Sequence, residues 1–270
     1  MKKKKLKKYD ETYYYSDPLN DDFAGTHIHA IKVNSDFKYH HKNIFFKIFS
    51  FFIYRMVARP AVYLYAKIKY NVKYVNKKAV KKVRKGGFFV YSNHVAVDGD
   101  AFITNHVTFP NVNDIIVNAD TVSIKGIKTL VEAMGAFPLP NDIGAAANFF
   151  HEMKYRLSKK HAITIFPEAH IWPYYNGIRE FPIGSYKYPA LLKTPIITFC
   201  ITLQKRKHSK RPRFTVYISD PEYIDPKLDT LENAKILHDK SYNFMKETTA
   251  KYSTYECNHF IYKPKEEKAD

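Results

Sequence analysis

The chain has 270 residues, of which 45% are hydrophobic and 16% aromatic, so it is long and apolar enough to fold around its own core. Its formal net charge of +18 at pH 7 indicates an anionic partner, such as a nucleic acid, an anionic membrane or a phosphorylated substrate. The two cysteines have neither the number nor the spacing of a disulfide framework or a metal site, which excludes both kinds of small scaffold.

Residues 1–35 predict an irregular, basic lead. The chain opens with a run of lysines and continues into polar sequence, with no apolar segment of the kind that a secretory signal contains. The lysine run is interpreted either as a mobile tail attracted to an anionic surface or as a segment that only adds solubility.

Residues 36–70 predict amphipathic helices. Large apolar and aromatic side chains recur at helical spacing from residue 44 to residue 59, and we expect this helix to stop or kink at Pro60. Lys47, Arg55 and Arg59 interrupt the stretch, and a membrane-spanning helix needs about 20 apolar residues with few charges. Two alternatives remain open: the helix lies in a membrane interface, or its aromatic face packs on the protein's own core.

Residues 71–256 alternate between strand and helix patterns and predict the main domain, followed by a charged tail at 257–270. The fold class is α/β, with a mixed, largely parallel sheet flanked by helices and preceded by the amphipathic segment. Strands or extended segments are predicted at 72–75, 88–92, 114–118, 135–139, 162–166, 195–203 and 213–218. Helices are predicted at 101–107, 122–134, 142–160 and 228–252.

A first polar loop follows the apolar strand 88–92. Asn93 and His94 stand at the end of that strand, and Asp98 and Asp100 precede the next helix. Catalytic side chains gather at the carboxyl ends of strands in α/β folds, and a His with an Asp across a tight turn can form a base and its orienting carboxylate. The alternative is a capped helix start with His94 on the surface, which the spacing alone favours.

A second polar loop follows the strand 162–166. Glu168 stands at the strand exit, and His170 and Arg179 follow among several aromatic residues. Arg179 could hold a phosphate group bidentately, or it could pair with a neighbouring glutamate. No closely spaced ligand pair supports a metal site built from His94, Asp100, Glu168 and His170, so we predict none.

The two loops together resemble the glycerolipid acyltransferase family, which includes the 1-acylglycerol-3-phosphate acyltransferases. The resemblance covers roughly residues 70–220 and has four blocks in order. They are Asn93-His94 with Asp100, Gly135-Ala-Phe-Pro-Leu139, Phe166-Pro167-Glu168, and Pro195-Ile-Ile-Thr198. Five residues separate His94 from Asp100 where the family has four, and we choose Asp100 over Asp98 because a bacterial branch has this longer spacing.

The family's phosphate-binding arginines are missing from this sequence. Ala169-His170-Ile171 replaces the Gly-Thr-Arg of the third block, and Pro140 stands near the place of the second-block arginine. We therefore predict that Arg179, with Lys187 behind it, substitutes for them.

The resemblance implies an O-acyltransferase of phospholipid synthesis. It implies transfer of an acyl group from acyl-CoA or acyl carrier protein to the hydroxyl of a lysophospholipid, with 1-acylglycerol-3-phosphate giving phosphatidic acid. His94 would be the base and Asp100 its partner, and no cofactor beyond the thioester is expected. The residues expected to bind substrate are Asn93, Gly135, Glu168, His170, Arg179 and Lys187.

The expected location is cytoplasmic and peripheral, on the inner face of the cell membrane, with that anionic surface as a partner. A non-catalytic, lipid-binding peripheral protein is an alternative, because the blocks are altered. A nucleic-acid-binding module is a second alternative, but no recognition motif is present, so we predict no nucleic-acid partner. A lipid-ester hydrolase is disfavoured because no Gly-x-Ser-x-Gly occurs.

Overall fold

The computed structural model describes residues 9–23, 30–41, 43–96, 99–124, 126 and 128–264. The strands are β1 (Thr12–Tyr15), β2 (Lys73–Val75), β3 (Phe88–Ser92), β4 (Asn113–Val117), β5 (Ala136–Pro138), β6 (Ala162–Ile165), β7 (Ile196–Arg206), β8 (Ser209–Ile218) and β9 (His259–Tyr262). The α-helices are α1 (Ile44–Phe52), α2 (Arg59–Tyr70), α3 (Asp100–Val107), α4 (Lys128–Ala133), α5 (Ile143–Ser158), α6 (Lys187–Leu192) and α7 (Thr230–Tyr252). A π-helical segment, Ile53–Ala58, joins α1 to α2. Short 3-10 helices span Lys77–Lys82, Thr121–Ser123 and Ile183–Tyr186.

The main sheet has seven strands in the order β2-β8-β7-β3-β6-β4-β5. Strands β3, β4, β5, β6 and β7 are parallel, whereas β8 pairs antiparallel to β7 and β2 runs parallel to β8. The predicted α/β fold with a mixed, largely parallel sheet is therefore confirmed.

Strand β3 lies near the middle of the sheet and is buried along its whole length. Side chains alternate between the two faces of a strand. Phe88 and Val90 accordingly join a core that includes residues of α2 and α3. Phe89 and Tyr91 join a second core that includes residues of α5 and α7. Helices cover both faces of the sheet, so every side chain of β3 is buried. This burial explains why its sequence is almost continuously apolar.

The amphipathic segment differs from its prediction at Pro60. The helix does not stop there, because α2 begins at Arg59 and contains Pro60 in its first turn. Proline has no backbone N–H to donate, and the π-helical turn just before it accommodates that loss. None of the helices in the described ranges is both long and apolar enough to cross a bilayer.

Two strands lie in segments predicted to be irregular. Strand β1 pairs in parallel with β9, and Thr12 stands opposite His259. Aromatic side chains hold this pair against the second polar loop, with Phe260 stacked on Trp172 at 4.9 Å between ring centroids. The lead and tail, as far as they are described, therefore belong to the folded domain rather than extending from it.

Candidate active site

The register of β3 and β6 brings the two polar loops together. Tyr91 stands opposite Ile165 in a parallel pair, so both strands end at the same edge of the sheet. The loop that begins at Asn93 and the loop that begins at Phe166 therefore leave the sheet side by side.

His94 and Asp100 form a hydrogen-bonded pair at this edge. His94 Nδ1 lies 2.7 Å from Asp100 Oδ2, and the N–H of Ala96 donates to the same oxygen at 2.8 Å. The N-cap of α3 is Gly99, so Asp100 is the first helical residue and its side chain turns back to the imidazole. The alternative of a simple capped helix start with a surface histidine is thus wrong. Asp98 lies outside the described residues.

The pair combines a buried carboxyl with a partly accessible imidazole. The side chain of Asp100 is 1% exposed and that of His94 is 18% exposed. Burial raises the pKa of Asp100, although its hydrogen bonds to His94 and Ala96 oppose that shift. With Nδ1 held by the carboxyl, Nε2 is the ring nitrogen left to exchange a proton.

A cavity of about 580 Å³ opens beside the imidazole of His94. The ring stacks on Phe166 with 4.3 Å between centroids, and both residues line the cavity. Most of the other lining side chains are apolar, among them Ile115, Ile116, Val117, Ile124, Leu139, Ile165 and Ile171. Among the described residues, the lining includes Asp22 and Asp120 but neither Lys nor Arg, so this wall suits an apolar ligand better than an anionic one.

Glu168 is a buried link between the two loops. Its Oε2 accepts the backbone N–H of His94 at 2.8 Å, and its Oε1 accepts the backbone N–H of Arg179 at 2.9 Å. Burial raises the pKa of the Glu168 carboxyl, and the nearby Arg179 opposes that rise. The predicted contact of Glu168 with the acceptor does not fit this geometry, because both oxygens are occupied by the protein's own backbone.

Arg179 also faces inward. Its guanidinium donates to the carbonyl oxygens of Pro18, Glu168 and His170, and it lies 4.9 Å from the centroid of the Trp172 ring. The residue is only 4% exposed. The predicted role of Arg179 in holding the acceptor's phosphate is therefore corrected, because its donors bind the carbonyls that shape the second loop.

Comparison with known proteins identifies the class of this domain. Residues 71–202 match the family model described as Acyltransferase. These residues form an acyltransferase domain. The match confirms the resemblance found in the sequence blocks and the predicted class of enzyme.

A solved structure shares the fold of this chain. The 1-acyl-sn-glycerophosphate acyltransferase PlsC of Thermotoga maritima superposes with a TM-score of 0.53 and 13% identity. The alignment covers 79% of this chain and 98% of that one, so the two share an architecture. No curated protein matches the chain significantly.

The other predicted residues occupy different parts of the acyltransferase domain. Asn93 is fully buried and bridges to β7, where its amide donates to the carbonyl of Ile201 and accepts the N–H of the same residue. The prediction that Asn93 binds substrate is thus corrected, because the side chain fastens the strand end. His170 is half-buried at the cavity's outer loop, with Nδ1 3.9 Å from Asp22 Oδ2.

Gly135 and Lys187 are not brought to the imidazole. Gly135 precedes β5 at the opposite end of the strands, at a φ of +94°, where a Cβ would lie 2.8 Å from Asp114 Oδ1. This close approach, rather than substrate binding, requires a glycine there. Lys187 is an exposed residue at the start of α6 and does not line the cavity.

Sequence reasoning missed the residues that build the acyltransferase cavity. Ile115, Ile116 and Val117 of β4 line it, and the apolar run at 114–118 was recognised only as a strand. This run follows β3 and α3 in sequence, but the strand order that places β4 beside β6, and so near His94, is not encoded in sequence spacing. The sequence indicates Phe166 only as part of a motif, whereas in the structure its ring stacks on the imidazole of His94.

Proposed function

We propose that this acyltransferase moves an acyl group from acyl-CoA or acyl carrier protein to the hydroxyl of a lysophospholipid. The proposed acceptor is 1-acylglycerol-3-phosphate and the proposed product is phosphatidic acid. The observation that carries the proposal is the His94–Asp100 pair, which opens onto a cavity with a mostly apolar wall. The activity for which the structurally similar Thermotoga maritima protein is named, 1-acyl-sn-glycerophosphate acyltransferase, supports the choice of acceptor.

His94 would act as the general base. An alcohol is a poor nucleophile at neutral pH, and a positioned base contributes about 10²–10⁴-fold to its reaction. His94 Nε2 would take the hydroxyl proton as the oxygen attacks the thioester carbonyl. The tetrahedral intermediate would then collapse with cleavage of the carbon–sulfur bond, and the imidazolium would return the proton to the departing thiolate. Asp100 would hold the tautomer that leaves Nε2 available and would stabilise the imidazolium.

Direct attack by the acceptor, without an acyl-enzyme, agrees with the state of the cysteines. Cys200 and Cys257 are both buried. Burial raises the pKa of the Cys200 thiol well above its ordinary value and that of Cys257 to about 12. Neither thiol is a good nucleophile, so the proposed reaction needs only the thioester, the acceptor and the His94–Asp100 pair.

The cavity would hold an acyl chain beside the reacting carbonyl. Its wall includes Ile116 from β4, Leu139 after β5 and Phe166 at the imidazole, which together form an apolar surface that continues up to His94. Burial of methylene groups against such a wall contributes about 0.8 kcal/mol for each group. Binding of this kind orients the chain without the need for charged side chains.

The amphipathic segment would place the site at the inner face of the cell membrane. Helix α1 has no buried residue, and Phe45 is 78% exposed while Met56 of the next turn is 67% exposed. An apolar face of this size with basic neighbours is typical of a helix in the membrane interface, where both lipid reactants reside. The net charge of +18 adds attraction to an anionic surface.

The test is a thiol-release assay with the full chain in anionic vesicles. The panel would combine acyl-CoA and acyl carrier protein donors with several lysophospholipids. We expect rapid thiol release that requires 1-acylglycerol-3-phosphate, and a loss of about 10²–10⁴-fold in His94→Gln. His151→Gln, at an exposed position on α5, is the matched control and should retain full activity. Equally slow release by the wild type and His94→Gln would instead support a non-catalytic lipid-binding protein.

A further inference from the structure

A second cavity, of about 540 Å³, lies among α2, the 3-10 helix Lys77–Lys82 and the end of α3. It shares no lining residue with the cavity beside His94. Its cationic lining residues are Arg55, Arg59, Lys77, Lys78, Lys81 and Arg84. No Asp or Glu within the described ranges lines it, so none of the described carboxylates balances these cations inside the cavity. We refer to this feature as the basic cavity.

Arg59 gives the basic cavity a buried, unsatisfied donor. The residue is 9% exposed, and its guanidinium lies 4.3 Å from the centroid of the Phe109 ring. Its Nη2 donates to the carbonyl of Asn105 at 3.2 Å, whereas its buried Nη1 has no hydrogen-bond partner among the described residues. A buried charged donor without an acceptor is costly, and an oxyanion in the cavity would supply that acceptor.

His106 reports the positive potential of the same place. Its Nε2 lies 3.4 Å from Lys77 Nζ. Burial lowers the pKa of His106 to about 4, and the charges of Lys77, Arg59 and Lys67 add to that shift. The imidazole thus stays neutral at pH 7, first because it is buried and then because the cations around it repel a further positive charge.

The basic cavity is too far from His94 to hold the phosphate of an acceptor whose hydroxyl reacts there. Helix α3 begins with Asp100 at the active site, and His106 and Val107 at its other end line the basic cavity. Six residues of α-helix span about 9 Å. The phosphate of a glycerophosphate is only a few bonds from its hydroxyl, so one molecule does not reach both places.

We propose that the basic cavity is a separate binding site for a phosphate monoester. The rim favours a lipid headgroup as its source, because the exposed side chains of Tyr63 and Phe109 belong to the lining beside the cations. A soluble phosphate ester would satisfy the same donors. The proposal does not depend on acyl transfer, since the described lining residues of the basic cavity include neither His94 nor Asp100.

Calorimetric titration of the full chain tests the proposal. The probes are dihexanoyl phosphatidic acid, inorganic phosphate and adenosine 3′,5′-bisphosphate, with dihexanoyl phosphatidylcholine as the lipid that lacks a monoester. The test variant is Lys81→Gln with Arg84→Gln, two exposed residues of the lining. The matched control is Lys82→Gln with Lys85→Gln, which removes the same charge from the same segment outside the cavity.

We expect saturable binding of dihexanoyl phosphatidic acid that weakens at least tenfold in the test variant and changes less than twofold in the control. Equal or tighter binding of the two soluble probes, with the same response to the variants, would keep the monoester site and assign it a soluble ligand. An equal loss in both double variants would overturn the proposal, because it would show only a diffuse basic surface. Absence of saturable binding, or tighter cavity-dependent binding of a single-stranded RNA oligomer, would also overturn it.

Discussion

Glu168 Oε2 accepts the backbone N–H of His94 at 2.8 Å, so the third sequence block holds the main chain of the first. The other oxygen of the same carboxyl accepts the backbone N–H of Arg179, farther along the second loop. Glu168 therefore holds the backbone from which the imidazole of His94 extends toward the cavity. In the proposed reaction it would act through His94, as a positioning residue.

Glu168→Gln should reduce both stability and turnover. The two backbone donors need two acceptor oxygens, and an amide offers only one, so one donor loses its partner. We expect a loss of about 1–3 kcal/mol in the free energy of unfolding and a lower kcat with little change in acceptor KM. Urea unfolding and steady-state kinetics measure these effects. Glu180→Gln, at an exposed neighbouring position, should change neither the free energy of unfolding nor kcat. A rise in the acceptor KM of Glu168→Gln without loss of stability would instead show that Glu168 binds the acceptor.

Arg179→Lys should destabilise the second loop and leave acceptor binding intact. A lysine cannot reproduce the several carbonyl contacts of the guanidinium or its stacking on Trp172. The expected loss is roughly 1–3 kcal/mol in the free energy of unfolding, with KM for 1-acylglycerol-3-phosphate within twofold. Lys187→Gln provides an exposed control. A tenfold increase in KM in Arg179→Lys would show that its guanidinium does contact the phosphate.

Asp100→Asn should lower kcat by about 10²–10⁴-fold, because the amide neither stabilises the imidazolium nor fixes the productive tautomer. Asp98→Asn is the informative comparison, since the two aspartates compete for the same motif position. We expect Asp98→Asn to retain activity within a few fold. The reverse pattern in the thiol-release assay would reassign the motif.

Phe45→Ser with Phe52→Ser should weaken partition into anionic vesicles at least tenfold. The two side chains are 78% and 55% exposed, so their removal costs the folded protein little. Burial of one phenylalanine is worth about 1.5–3 kcal/mol, and 1.4 kcal/mol is a tenfold change in partition. Vesicle sedimentation measures the effect. Tyr223→Ser with Leu231→Ser, at 60% and 58% exposure elsewhere, should sediment as the wild type does.

The free energy of unfolding should fall as the pH drops from the ordinary pKa of His106 toward its lowered pKa in the folded protein. Its pKa is lowered to about 4 in the folded protein, from an ordinary value of 6.5, by burial and by the charges of Lys77, Arg59 and Lys67. Between these two values the unfolded chain binds a proton that the folded chain does not, so stability is complete above pH 6.5 and decreases toward pH 4. The rings of Tyr63 and Tyr74 also pack on the imidazole.

His106→Gln should therefore flatten the acid side of the stability profile. Urea unfolding at several pH values between 4 and 7 measures the slope, and His208→Gln at an exposed position is the control. An unchanged slope in His106→Gln would assign the acid sensitivity to other groups.

Local pattern predicted the central strands and the proximity of His94 to Asp100 well. Strand β3 matches its predicted range, because a short apolar run that follows two glycines is typical of a buried strand. The pattern could not predict the inward direction of Arg179, since a cation in a loop has the same sequence signature whether it meets a ligand or a carbonyl. Strands β1 and β9 were also missed. Each is short, and its stability comes from distant partners such as Trp172, which no local window contains.

The β1–β9 pairing makes the second polar loop depend on residues that are synthesised well after it. Asn258 Nδ2 donates to the carbonyl of Pro173, and Phe260 stacks on Trp172, so the loop gains these supports only from residues 258–260. A growing polypeptide that already contains His94, Asp100 and Glu168 still lacks the strand that supports the Glu168 loop. The loop would therefore reach its final packing only after β9 has left the ribosome.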